Sequence, residues 1–140
     1  MKVTVFGTGY VGLVHAAVLA SVGHSACCVD IDVAKVEQLK LGIIPIFEPG
    51  LEPLVKEGLA SGRLSFTTDA QAGVLFSDLL FIAVGTPPDQ DGSADLQQVL
   101  TVAQTIGQFM TSPKTVVNKS TVPVGTAENV AQVIGEVLRR

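Results

Sequence analysis

The residues with the clearest chemical purpose are Gly7-Thr8-Gly9-Tyr10-Val11-Gly12. They follow a β-branched and aromatic run, Val3-Thr4-Val5-Phe6, and open into a long apolar stretch from Leu13 to Val22. The spacing is G-x-G-x-x-G between a strand and a helix, the arrangement that cradles a pyrophosphate. Gly7 permits the tight turn, Gly9 lets the backbone approach the phosphates, and Gly12 lets the helix pack closely. The helix start, with Tyr10 and Val11, then offers free N–H groups and the positive end of the helix dipole. The same letters also occur in strand-to-helix turns that bind nothing, so the weight falls on what comes next. A second β-rich run, Ala26-Cys27-Cys28-Val29, ends in Asp30, close to the ~20-residue spacing of the carboxylate that accepts hydrogen bonds from an adenosine ribose. A carboxylate there repels a 2′-phosphate, which favours NAD over NADP. Asp32 competes for this role, but it falls where the next helix begins and reads as an N-cap.

Further along, a fourth strand ends in Gly85-Thr86 and a fifth leads into Ser120-Thr121. Small hydroxyl residues at strand ends allow a planar cofactor to come within the ~3–3.5 Å needed for hydride transfer. Thr86 and Thr121 are equally ordinary as turn residues before Pro87 and Pro123. Lys35 could reach the adenosine side of a cofactor or be a solvated helix residue; position leaves both open. His15 and His24 have no partner motif and read as packing or surface residues. Cys27 and Cys28 are adjacent in a strand and read as small hydrophobes, neither a disulfide framework nor a metal site.

The elements that must position these groups alternate regularly. Strands are expected over Lys2–Phe6, Ala26–Val29, Arg63–Thr67, Asp78–Val84 and Lys114–Asn118. Helices are expected over Tyr10–Val22, Asp32–Leu41, Leu51–Ala60, Asp69 to about Gly73, Asp95–Met110 and from about Thr126 towards Arg140. In the last helix Val130, Val133, Ile134, Val137 and Leu138 are expected to face inward. Between the second and third helices lies a loop containing Pro45 and Pro49. This order predicts an α/β domain with a Rossmann-type, doubly wound parallel sheet and right-handed crossovers. A strand order of 3-2-1-4-5 would carry Gly7, Asp30, Thr86 and Thr121 to one rim, at the carboxyl ends of the strands.

Composition narrows the function classes. The chain has 140 residues, 47% of them hydrophobic, enough for one domain with a real core. A net charge of −4 with scattered basic residues gives no footprint for nucleic acid. No apolar run is long and clean enough to span a membrane, and the glycines and His15 break the amino-terminal stretch that might pass for a signal peptide. Adjacent buried cysteines suit a reducing, cytoplasmic setting.

Taken together, these segments resemble the amino-terminal NAD-binding domain of the UDP-glucose/GDP-mannose dehydrogenase family. The match rests on Gly7 to Gly12, Val29-Asp30-Ile31-Asp32 with Lys35-Val36, Pro45-Ile46-Phe47-Glu48-Pro49-Gly50-Leu51 and Ala83-Val84-Gly85-Thr86-Pro87. It continues through Asp91-Gly92-Ser93-Ala94-Asp95-Leu96 and Lys119-Ser120-Thr121-Val122-Pro123-Val124-Gly125-Thr126. The Asp91–Asp95 loop and the Lys119–Gly125 segment look more like the branch acting on UDP-glucose than those acting on GDP-mannose or N-acetylated UDP-sugars. The resemblance implies oxidation of a sugar C6 alcohol to a carboxylate with two NAD⁺ and a water, by way of a cysteine adduct. It implies that Val11, Asp30, Lys35, Thr86 and Thr121 contact NAD, and that Thr121 lies near the reacting carbon as a catalytic residue. The family's glutamate, lysine, asparagine and nucleophilic cysteine have no counterpart before Arg140, and Cys27 and Cys28 do not replace them. Residues 1–140 are therefore expected to be the cofactor domain alone, ending before a sixth strand, without the central helix and UDP-binding domain. Such a fragment is expected to be monomeric and inactive, and the full-length protein a homodimer. A stand-alone NAD-binding module without catalysis is the alternative of another class.

Overall fold

Strands form where β-branched and aromatic residues run without interruption, and the parallel arrangement buries both of their faces. The computed structural model describes residues 1–44, 50–84, 97–118 and 126–138. In chain order the elements are β1 (Lys2–Phe6), α1 (Tyr10–Ser21), β2 (Ser25–Val29), α2 (Val33–Lys40), α3 (Leu51–Ser61), β3 (Leu64–Thr67), α4 (Ala70–Phe76), β4 (Leu79–Ile82), α5 (Gln97–Phe109), β5 (Thr115–Asn118) and α6 (Thr126–Leu138). The five strands make one sheet in the order β3-β2-β1-β4-β5, all pairs parallel. The doubly wound order expected from the sequence is thus the order found. Val5 sits in register with Cys28 on one side and Phe81 on the other, at the centre of the sheet.

Successive strand residues feed opposite faces. Val3, Val5, Ala26 and Cys28 pack with Leu13, Ala16, Ala17, Val36, Leu39 and Val55 on the face covered by α1, α2 and α3. Phe6, Cys27, Val29, Leu80 and Ile82 pack with Val74, Val99, Ala103, Ile106 and Val130 on the face covered by α4, α5 and α6. Cys27 and Cys28 are free thiols buried on opposite faces, so neither can reach the other. Burial pushes both thiols above their ordinary values; a hydrogen bond with Ser65 opposes the shift at Cys27, while the charges of Cys27 and Asp30 add to it at Cys28. Both are held as neutral hydrophobes. His15 is likewise a packing residue, its ring edge-on to Phe81 with centroids 4.4 Å apart.

Several boundaries differ from the sequence expectations, and each difference has a local cause. The helix expected to stop near Gly73 runs on to Phe76. Gly73 is inside it because there is no room for a side chain: a Cβ would press into Val29 Cγ2 and lie 3.4 Å from Thr4 Cγ2. The close approach is fastened by the buried Thr4, whose Oγ1 donates to the Gly73 carbonyl at 2.7 Å. The strand expected over 78–84 is β4, Leu79–Ile82, although Ala83 N–H still donates to Phe6 O at 2.8 Å. Leu138, expected inward, is 50% exposed. It is the last residue of α6, where the helix runs out beyond its packed middle. The prolines of the loop at residues 45–49, and Asp95, lie outside the described residues.

Candidate functional site

β1, β2 and β4 all end at the same rim, and the glycine turn crosses it. Gly7 has φ +106°, a backbone state that side chains rarely adopt. A Cβ there would also meet the Ala83 carbonyl oxygen at 2.5 Å. Gly7 N–H donates to Val29 O at 2.8 Å, which ties the turn to the end of β2. Gly12, at the start of α1, is equally enclosed: its Cβ would press into Gly7 O, with Gly7 C at 3.0 Å and Ala83 Cβ at 3.3 Å. Gly9 is different. It is the N-cap of α1, with φ −72° and ψ −169°, and among the described residues nothing lies within 4 Å of the place its Cβ would take. Gly7 is therefore fixed by crowding against the residues that follow β4 and Gly12 by crowding within the turn, while among the described residues the middle glycine faces open space. Among the described residues no side chain caps α1, and no acidic residue stands in its first turn. Tyr10 is the first residue of α1, and Val11 beside it is 48% exposed.

Asp30 closes the other side of the turn. Thr8 donates to Asp30 Oδ2 twice, from its backbone N–H at 3.0 Å and from its hydroxyl at 2.5 Å. Asp32 N–H donates to Asp30 Oδ1 at 3.1 Å, and Lys35 Nζ stands 3.9 Å from Oδ2. Asp32 is the N-cap of α2, accepting from Lys35 N–H at 3.1 Å, which is the capping role expected of it. Burial pushes the Asp30 carboxyl up. The bonds from the Thr8 hydroxyl, the Asp32 amide and the Thr8 amide, with the Lys35 charge, outweigh that, and the group titrates below its ordinary value.

A lowered carboxyl pKa means that the ionised form stabilises the folded chain. That contribution is complete above the ordinary aspartate value of about 3.9 and is lost as pH falls through the lowered folded value. Denaturation midpoints of the wild type and Asp30→Asn should therefore differ at pH 6 and converge towards pH 2. A constant gap across that range would refute the assignment.

Beside Asp30 lies a cleft of about 260 Å³, lined by Phe6, Gly7, Val29, Asp30, Ile31, Ala70, Val84, Thr101, Val102 and Thr105. Its walls are mainly apolar, with the carboxylate at the rim, and Ile31 is 95% exposed at its mouth. The carboxyl ends of the strands thus bring together Gly7, Gly9, Gly12, Asp30 and Lys35. Gly85, Thr86 and Thr121 lie outside the described residues. Sequence reasoning gave no role to Thr8 or to the α5 wall of the cleft. Val102 and Thr105 are three apart, one side of a helix whose buried face is Val99, Ala103 and Ile106.

A family profile described as the NAD binding domain of the UDP-glucose/GDP-mannose dehydrogenase family matches residues 1–139. The chain belongs to this family. As that family's NAD-binding domain it is 51% identical over 137 residues to a UDP-glucose 6-dehydrogenase of Rhizobium meliloti, covering 97% of this chain and 31% of the relative. It is 47% identical over 138 residues to the UDP-glucose 6-dehydrogenase YwqF of Bacillus subtilis, covering 99% of this chain and 31% of the relative. Among solved structures, a ternary complex of GDP-mannose dehydrogenase from Pseudomonas aeruginosa superposes with a TM-score of 0.94 at 42% identity, covering all of this chain and 33% of that one. The chain thus spans about a third of the length of the relatives it matches. Among the described residues there is no group of His, Cys, Asp or Glu that could hold a metal ion, and no helix is long and apolar enough to cross a membrane.

Proposed function

We propose that this chain is the cofactor domain of a UDP-glucose 6-dehydrogenase, and that its adenosine site is the cleft beside Asp30. The single observation that carries the site is the Asp30 carboxylate, held by Thr8 and Asp32 at the mouth of an apolar cleft next to the glycine turn. The cleft, at about 260 Å³, is below the ~300–1,000 Å³ of pockets that take a whole small ligand, and so suits one end of a dinucleotide. The open space at Gly9 and the uncapped start of α1 suit the pyrophosphate, with Tyr10 and Val11 supplying backbone there. Lys35 stands on the adenosine side with Asp30. Gly85, Thr86 and Thr121 are assigned to the nicotinamide half, Thr121 also to the reacting carbon. Bound NAD⁺ supplies a hydride acceptor; this chain's residues bind and orient it.

UDP-glucose is favoured as the substrate by the two UDP-glucose 6-dehydrogenases named above, at 51% and 47% identity against 42% for the GDP-mannose dehydrogenase, and by the Asp91–Asp95 and Lys119–Gly125 segments. The nucleophile and the sugar site are assigned to a central helix and a second nucleotide-binding domain further along a longer, homodimeric, cytoplasmic protein.

Titration calorimetry of this chain tests the reading. NAD⁺ should bind and NADP⁺ should bind more weakly. UDP-glucose should be silent. Asp30→Ala should lose about 10- to 100-fold in NAD⁺ affinity, the scale of hydrogen bonds to a charged group, and with it the preference over NADP⁺. A folded chain that binds NAD⁺ and NADP⁺ equally, or binds neither, would overturn it.

A further inference from the structure

We propose that Thr8 is the positioning residue for ribose selectivity: its hydroxyl and amide together fix the Asp30 carboxylate in the orientation that accepts a ribose 2′-hydroxyl and rejects a 2′-phosphate. The inference rests on the adenosine site proposed above. It starts from an asymmetry between the two oxygens of Asp30. Oδ2 takes both Thr8 donors, at 3.0 and 2.5 Å, and faces the Lys35 ammonium at 3.9 Å. Among the described residues Oδ1 takes the Asp32 amide alone, at 3.1 Å. A carboxylate offers about four lone-pair sites, so Oδ2 is saturated and Oδ1 keeps acceptor capacity.

Thr8 is fully buried, so its hydroxyl has been taken out of water, and the bond to Asp30 compensates that loss. The amide of residue 8 would remain in any variant that folds; the hydroxyl is what threonine adds. A valine methyl cannot occupy a position 2.5 Å from a carboxylate oxygen, so the carboxylate would have to turn. The same bonds keep Asp30 ionised against its burial. A fixed charge at the cleft mouth repels a phosphate more effectively than one free to swing away, and a fixed acceptor needs no ordering when the ribose arrives.

The test compares Thr8→Ala, Thr8→Val and Thr8→Ser with the wild type in NAD⁺ and NADP⁺ titrations from pH 7 down to the acid limit of folding. The carboxyl resonance of Asp30 is followed by NMR over the same range. Alanine and valine should each reduce the NAD⁺-to-NADP⁺ affinity ratio about tenfold, the scale of one charge-assisted hydrogen bond. They should also raise the pH at which NAD⁺ binding falls away and at which the carboxyl titrates. Serine, which restores the hydroxyl, should return both to within about twofold of the wild type. A folded alanine variant with the wild-type ratio and carboxyl titration overturns the proposal, and alanine keeps the test decisive if valine does not fold. Should the folded wild type bind no NAD⁺, the adenosine site and the selectivity role fail together. A failure of Thr8 alone shows instead as NAD⁺ binding that is indifferent to residue 8.

Discussion

Gly12→Ala is expected to destabilise the chain by about 3 kcal/mol or more and to abolish NAD⁺ binding. The added Cβ would press into Gly7 O and lie 3.0 Å from Gly7 C, so the obstacle is backbone, which cannot rotate aside as a side chain can. Nor can Gly7 yield. Its φ of +106°, its hydrogen bond to Val29 O and its own approach to the Ala83 carbonyl fix it from three sides. The remaining relief is for α1 to lift from the rim, and that uncovers Leu13 and Ala16, both fully buried. Gly9→Ala is the control. Its backbone, φ −72° and ψ −169°, suits any residue, and among the described residues nothing lies within 4 Å of its Cβ. It should fold within about 0.5 kcal/mol of the wild type yet bind NAD⁺ poorly, because the Cβ stands where the pyrophosphate is proposed to lie. Chemical denaturation with NAD⁺ titration separates the two. A Gly12→Ala protein with a wild-type midpoint would mean that the turn is not closed as described.

Parts of this contrast were legible in the sequence. The G-x-G-x-x-G spacing and the alternation of strand and helix signals sufficed for the sheet order, because parallel strands with right-handed crossovers leave few alternatives. Asp32 read correctly as a cap because it stands where a helix starts. What stayed hidden depends on contacts distant in sequence. The helix was expected to end near Gly73, and only the closeness of Val29, more than forty residues earlier, explains a glycine inside α4. Thr8 drew no role because no local pattern says that its hydroxyl meets a carboxylate 22 residues away. The α5 wall of the cleft was missed for a related reason. A helix period shows which face is buried, but not which neighbouring residues flank a cavity.

That wall supports the second large effect. Ile106→Ala is expected to destabilise the chain by about 2–5 kcal/mol, since Ile106 is fully buried with Val74, Leu80, Ile82 and Val99 between α5 and the sheet. For a net stability of about 5–15 kcal/mol this is a large share, and it should appear as a lower denaturant midpoint with an unchanged slope. The consequence for the cleft follows from how α5 is held. Behind Ile106, Gly107 packs so closely on α6 that a Cβ there would meet the Ile134 carbonyl at 3.0 Å. Against that backing α5 has little freedom to move, and the void beneath Ile106 should persist. Val102 and Thr105 then keep their places in the cleft wall, and NAD⁺ at a hundredfold excess over its Kd should stabilise variant and wild type alike by about 2.7 kcal/mol. A smaller increment in the variant would show that the helix had settled into the void and carried the cleft wall with it.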